Sequence, residues 1–161
     1  MKKQVVIVLI LSLLLCLCSC SFLSESIQNP VKYYYQRGEY LYGQEDGVIA
    51  AEERDGTGHI KDMAYLLRLY LMGPHDEELT SPFPRGLLIT DIRQGNGSII
   101  LTLTDALSEL PESRQTIACA CLALTCMDMT GHDSVILIWD GEIRTIDRSS
   151  LTIFDAGTQP Q

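Results

Sequence analysis

The chain has 161 residues, 46% of them hydrophobic and 20% charged, so it is sized for one domain and is neither a disordered tail nor a coiled coil. Twelve Lys and Arg against 21 Asp and Glu give a net charge of −9. That balance lacks the basic footprint that grips a phosphate backbone, which argues against nucleic acid as a general partner.

At the N-terminus, Lys2 and Lys3 form a basic head and Val5 to Leu15 an apolar run broken only by Ser12. The run is too short for a membrane span of roughly 20 residues but fits the hydrophobic region of a signal peptide. Leu17-Cys18-Ser19-Cys20 resembles the bacterial lipobox, in which a small residue precedes a Cys that is acylated and becomes the new N-terminus. Cys16 and Cys18 each follow a Leu, whereas Cys20 follows the small Ser19, so Cys20 is the expected lipidation site. Cys18 stands where the lipobox usually has Ala, Ser or Thr. An uncleaved anchor or a plain secretory signal are the alternatives. On the lipobox reading, residues 1–19 are a lipoprotein signal peptide and residues 20–30 a lipidated tether. The protein is then held by palmitate-like chains at the extracytoplasmic face of the cell membrane. Cleavage removes 19 of 161 residues, leaving 142, and loses Lys2 and Lys3, taking the charge from −9 to −11.

Further along, Val31 to Gln36 is rich in β-favouring aromatics and predicts a strand; Val48 to Arg54 predicts a second, between Asp46-Gly47 and Asp55-Gly56. Ile60 to Met72 predicts a helix with Ile60, Met63, Ala64, Leu67, Tyr70 and Leu71 facing inward, stopped by Gly73-Pro74. On its opposite side fall Tyr65, Leu69 and Met72, rimmed by Lys61 and Arg68. Apolar residues inside a charged rim predict a protein-contact face. Coverage by another part of the fold is the competing explanation.

Pro74 to Gly86 predicts a loop, and Leu87 to Arg93 with Ser98 to Thr104 a hairpin around Gly95-Asn96-Gly97. In its second arm Ile99, Leu101 and Leu103 share one face, and Ile100, Thr102 and Thr104 the other. Glu112 to Met129 predicts a helix between Pro111 and Gly131, and Val135 to Asp140 a strand turning at Asp140-Gly141 towards a mate at Ile143 to Ile146. The order is β-β-α-β-β-α-β with a possible last strand. The expected class is α+β, two helices packed on one face of a small mixed sheet, with the domain over residues 31–148 and a tail over residues 149–161.

Tyr65 to Pro74, followed by Leu79, Pro82, Pro84-Arg85-Gly86 and later Trp139-Asp140-Gly141, resembles the GerMN domain of sporulation and spore-germination lipoproteins. In that family a helix ends in Gly-Pro, a loop carries a Pro-Gly-like element, a hairpin follows, and a helix leads into a strand ending in Asp-Gly. The resemblance covers about Val31 to Gly141. Leu87 stands where the family usually has Thr, and the second helix is unusually rich in Cys. The resemblance implies a ring-building-motif-like α+β fold, a role in envelope assembly or sporulation, and no established catalytic residues.

The residues themselves offer no catalytic constellation. His59, His75 and His132 lack the i, i+4 spacing of a helical zinc site, and His75-Asp76-Glu77-Glu78 reads as a solvated acidic loop. Glu52 and Glu53 are neighbours in a predicted strand and point to opposite faces, so they cannot form a carboxylate dyad. No Gly-x-Ser-x-Gly or Ser-x-x-Lys frame occurs, and neither Gly-rich stretch continues into Gly-Lys-Ser/Thr. Cys119 and Cys126 sit about 10 Å apart along a helix axis, too far for a disulfide, and with Cys121 read as apolar packing residues. No metal or cofactor is expected. The reading is a non-enzymatic, membrane-tethered interaction module that contacts a protein partner or a second copy of itself. The alternative is an envelope lipoprotein binding a small ligand or cell-wall glycan in a pocket lined by Tyr33, Tyr35 or Trp139.

Overall fold

A computed structural model describes residues 27–38, 47–95 and 97–151. The first strand, β1 (Pro30–Arg37), pairs antiparallel with β2 (Ile49–Asp55), Tyr33 opposite Glu52 and Tyr35 opposite Ala50. Alternation along β1 buries Val31, Tyr33 and Tyr35, while Lys32 is exposed. Helix α1 (Met63–Leu71) starts later than the apolar spacing predicts, because Asp62 caps it by accepting from the Tyr65 N–H at 3.0 Å. Ile60 therefore lies outside the helix and is exposed, as is Ala64, and the buried stripe is Leu66, Leu67 and Tyr70 with Met63 beside it.

After α1 the chain crosses the proline-rich segment, where the two-residue β3 (Leu79–Thr80) adds to the other side of β1. The expected hairpin follows as β4 (Ile89–Gln94) and β5 (Ser98–Leu103), with a bulge between Ile89 and Asp91. A 3-10 turn (Asp105–Glu109) and Pro111 lead into α2 (Glu112–Thr130), which closes on Gly131 at φ 72°. That left-handed conformation suits glycine, and its N–H caps the Met127 carbonyl at 2.8 Å. Strand β6 (Ser134–Trp139) then runs parallel to β5, and Asp140 and Gly141, at φ 47° and 76°, turn the chain into antiparallel β7 (Glu142–Asp147).

The class is α+β, with one difference of arrangement from the expected single sheet. The strands divide into a three-stranded sheet, order β2-β1-β3, and a mixed four-stranded sheet, order β4-β5-β6-β7. Helix α2 packs on β1 of the first and on β6 of the second, which is why every residue from Ala118 to Met127 is buried. A helix covered from both sides needs apolar or small residues all round rather than one stripe, and Cys119, Cys121 and Cys126 supply three of them.

The open flank of β1 is finished by side chains. The Tyr34 N–H donates to Thr125 Oγ1 of α2 at 3.0 Å, and the Tyr70 hydroxyl of α1 donates to the Tyr34 carbonyl. The helices thus satisfy backbone groups that an edge strand would leave open. Around this seam Tyr70 stacks on Tyr33 at 5.4 Å, lies 4.9 Å from Tyr35 and meets Phe83 edge-on at 5.0 Å. The four-stranded sheet contributes Ile99, Leu101, Leu103, Val135, Leu137 and Trp139 to the same core.

Candidate interaction surface

The structure separates the predicted contact residues. Tyr65 is half-buried against the core, its ring stacked on His59 at 3.9 Å, with the Arg68 guanidinium 5.8 Å from its centroid. Leu69 is also half-buried, and Lys61 lies in the turn before α1. Arg68 and Met72 lead elsewhere: together with Ala64 and Leu71 they form one wall of a groove whose other wall is Leu87, Leu88, Ile89 and Ile92. The groove has a volume of about 520 Å³, and two of its apolar residues, Met72 at 79% and Leu88 at 61% exposure, stand open to solvent. Lys61, Tyr65 and Leu69 do not line it.

Leu88, Ile89 and Ile92 escaped the helix-based reading, although the sequence carried a signal for them. Leu87-Leu88-Ile89 is an unbroken apolar run at a strand entrance, and a pleated strand can turn only alternate residues inward. Leu87 is buried, so Leu88 is left out. The same logic marks a second apolar surface. In β5 and β6 both faces carry branched aliphatic residues, with Ile100 beside Ile136, and Ile138 pairs with Ile143 of β7. Ile99, Leu101, Val135 and Leu137 face the core, so Ile100, Ile136, Ile138 and Ile143 share the outer face, with Ile143 69% exposed.

The residues expected to line a ligand pocket in the alternative reading are core residues: Tyr33, Tyr35 and Trp139 are all buried. The Tyr33 hydroxyl donates to the Leu66 carbonyl at 3.3 Å and that of Tyr35 to the Tyr70 carbonyl at 2.8 Å. Arg54 reaches across the two rings to donate to Glu52 at 3.0 Å, the Tyr35 hydroxyl at 3.1 Å and the Gly73 carbonyl at 2.7 Å. Glu52 also accepts from the His75 N–H at 3.0 Å. Burial alone would raise the Glu52 carboxyl, but these bonds outweigh it and hold the group below its ordinary value. The network ties β2 to the C-terminus of α1 and to the loop beyond. Glu53 points the other way, 3.8 Å from Lys32, as strand alternation requires.

Burial pushes the Cys119 thiol up to about 11 despite the nearby Arg144, and moves Cys121 and Cys126 further in the same direction. Thiols so placed are not nucleophiles near neutral pH. Cys20 lies outside the described residues. Among the described residues no helix is long and apolar enough to cross a membrane.

No family model matches the chain, and no curated protein matches it. Among solved structures it is similar to the crystal structure of a "Putative Lipoprotein from Clostridium perfringens", at 12% identity and a TM-score of 0.48, over 76% of this chain and 90% of that one.

Proposed function

We propose that this chain is a lipid-anchored, non-enzymatic assembly module of the bacterial cell envelope, with the α1–β4 groove as its contact surface and GerMN-like domains of sporulation and germination lipoproteins as its relatives. The observation that carries the reading is the groove itself. Met72 and Leu88 expose apolar side chains on either wall, Ala64, Leu71, Leu87, Ile89 and Ile92 complete an apolar lining, and Arg68 adds a positive charge. An exposed apolar patch that includes Met and Arg has a composition found at protein contact surfaces. The GerMN resemblance adds the element order, a helix ending at Gly73-Pro74, a hairpin, a long helix and a strand closing at Asp140-Gly141. The Cys20 lipobox supplies the anchor in this reading.

The test replaces Met72 and Leu88 together by Ser in the full-length chain. Both side chains are largely exposed, so the melting temperature should stay within a few degrees of wild type. Crosslinked adducts formed in cells should fall at least about tenfold, as loss of central anchors does at interfaces. A folded variant that crosslinks like wild type overturns the proposal.

A further inference from the structure

Resting on the assembly reading, we propose that the partner at this surface is a second copy of the chain, joined by antiparallel pairing of β4 with β4 about a two-fold axis at Ile92. Strand β4 is the end strand of its sheet, and its hydrogen-bond alternation is set from the turn. Gly95 donates to the Ser98 carbonyl at 2.9 Å. In the register Gln94 to Ile99 and Arg93 to Ile100, Gly95, Arg93 and Asp91 therefore turn their backbone groups towards β5. Ile92 and Gln94 turn theirs away from the sheet. A second β4 related by a two-fold axis at Ile92 meets those outward groups as a closed pair, Ile92 with Ile92 of the other copy.

That register decides the side chains. Asp91 falls opposite Arg93 of the other copy, and Arg93 opposite its Asp91. Directly opposed residues in such a pair lie about 4.5–5.5 Å apart at Cβ, close enough for opposite charges to stabilise the pairing. In the single copy the two already form an ion pair at 2.6 Å, with Arg93 74% and Asp91 43% exposed. The pair is thus on the solvent side and free to exchange partners. On the inner side the two Ile92 side chains, each lining its own groove, meet across the axis and join the two grooves.

Charge selects β4 among the edges. A chain of net charge −9 repels its own copies unless the contact is locally balanced. Strand β2 carries Glu52, Glu53 and Asp55 against Arg54, and β7 carries Glu142 and Asp147 against Arg144, so both are net acidic; β4 balances one acid, Asp91, with one base, Arg93, placed symmetrically about Ile92. The bulge between Ile89 and Asp91 ends regular pairing on one side, so the contact is short and closes on two copies.

The experiment co-expresses two differently tagged full-length copies, solubilises the membranes in mild detergent and measures how much of one copy is retained with the other. Wild-type copies should be retained together. Asp91→Arg or Arg93→Asp alone sets like charges opposite each other and should cut retention at least tenfold, with circular dichroism melts unchanged. The double exchange, Asp91→Arg with Arg93→Asp in one chain, should restore it. So should mixing a D91R copy with an R93D copy. Single variants that pair like wild type, or a folded double variant that fails to pair, overturn the proposal. If a second copy is absent while crosslinking to a different envelope protein persists, the pairing falls and the assembly reading stands. Loss of both overturns both.

Discussion

Thr125 sits fully buried in the middle of a helix and accepts its hydrogen bond from a strand, the Tyr34 N–H, rather than returning it to its own turn. Glu52 and Arg54 work at the same scale on the other side of β1, where they hold the end of α1 through Gly73 and the following loop through His75. Their pairing has a pH signature. A carboxylate held lower in the folded than in the unfolded chain stabilises the fold above its unfolded value and loses that contribution as the pH falls through the folded one. Stability should therefore decline on acidification below about 4.5, the ordinary value for this carboxyl. Glu52→Gln should flatten that acid limb relative to wild type. Denaturant melts at about pH 7 and about pH 3 check it, and parallel acid slopes for the two proteins would refute the assignment.

At the scale of elements, burial predicts which substitutions the fold tolerates. Leu67 in α1 and Leu101 in β5 are both essentially inaccessible. Leu67→Asp or Leu101→Asp buries an unpaired charge and should cost more than about 4 kcal/mol, enough to abolish cooperative melting of a marginally stable domain. Ile143→Asp, on the outer face of β7, should cost less than about 1 kcal/mol. Thermal melts followed by circular dichroism separate the outcomes, and a cooperative transition near the wild-type temperature for either buried variant contradicts its placement. Both helices and the principal strands were legible in the sequence because local chemistry marks them: Gly73-Pro74, Pro111 and Gly131 bound helices, and Asp140-Gly141 demands a tight turn. Ile60 misled, since its spacing suits the α1 stripe but the Asp62 cap starts the helix beyond it. The division into two sheets was not legible, because α2 has no single apolar face from which to read its neighbours. In the candidate site Met72 and Arg68 were legible from helical spacing, whereas Leu88 and Ile92 depend on where β4 lies against α1, a tertiary fact.

For the whole molecule, net charge and attachment are linked. On the proposed lipid-anchored reading the mature body carries −11, two positive charges fewer than the full chain at −9; anionic headgroups repel such a body, so attachment in that reading rests on an acyl chain at Cys20. Metabolic labelling with an alkynyl fatty acid should mark the wild type, and Cys20→Ser should abolish the label and move the protein into the soluble fraction. A Ser variant that stays labelled and sediments with membranes would rule Cys20 out as the acceptor.

The seam between Tyr34 and Thr125 joins groups 91 residues apart, and it has a consequence for the order of events during synthesis. The β1–β2 ribbon can form early from local contacts, and β3 and Tyr70 close part of its far flank, but the bond to Thr125 waits until α2 has been made and folded back across that distance. A two-stranded ribbon with one raw flank is at best marginally stable. The front half of a newly made chain therefore gains its last backbone contact only when the long helix, made more than seventy residues after the ribbon begins, arrives to supply it.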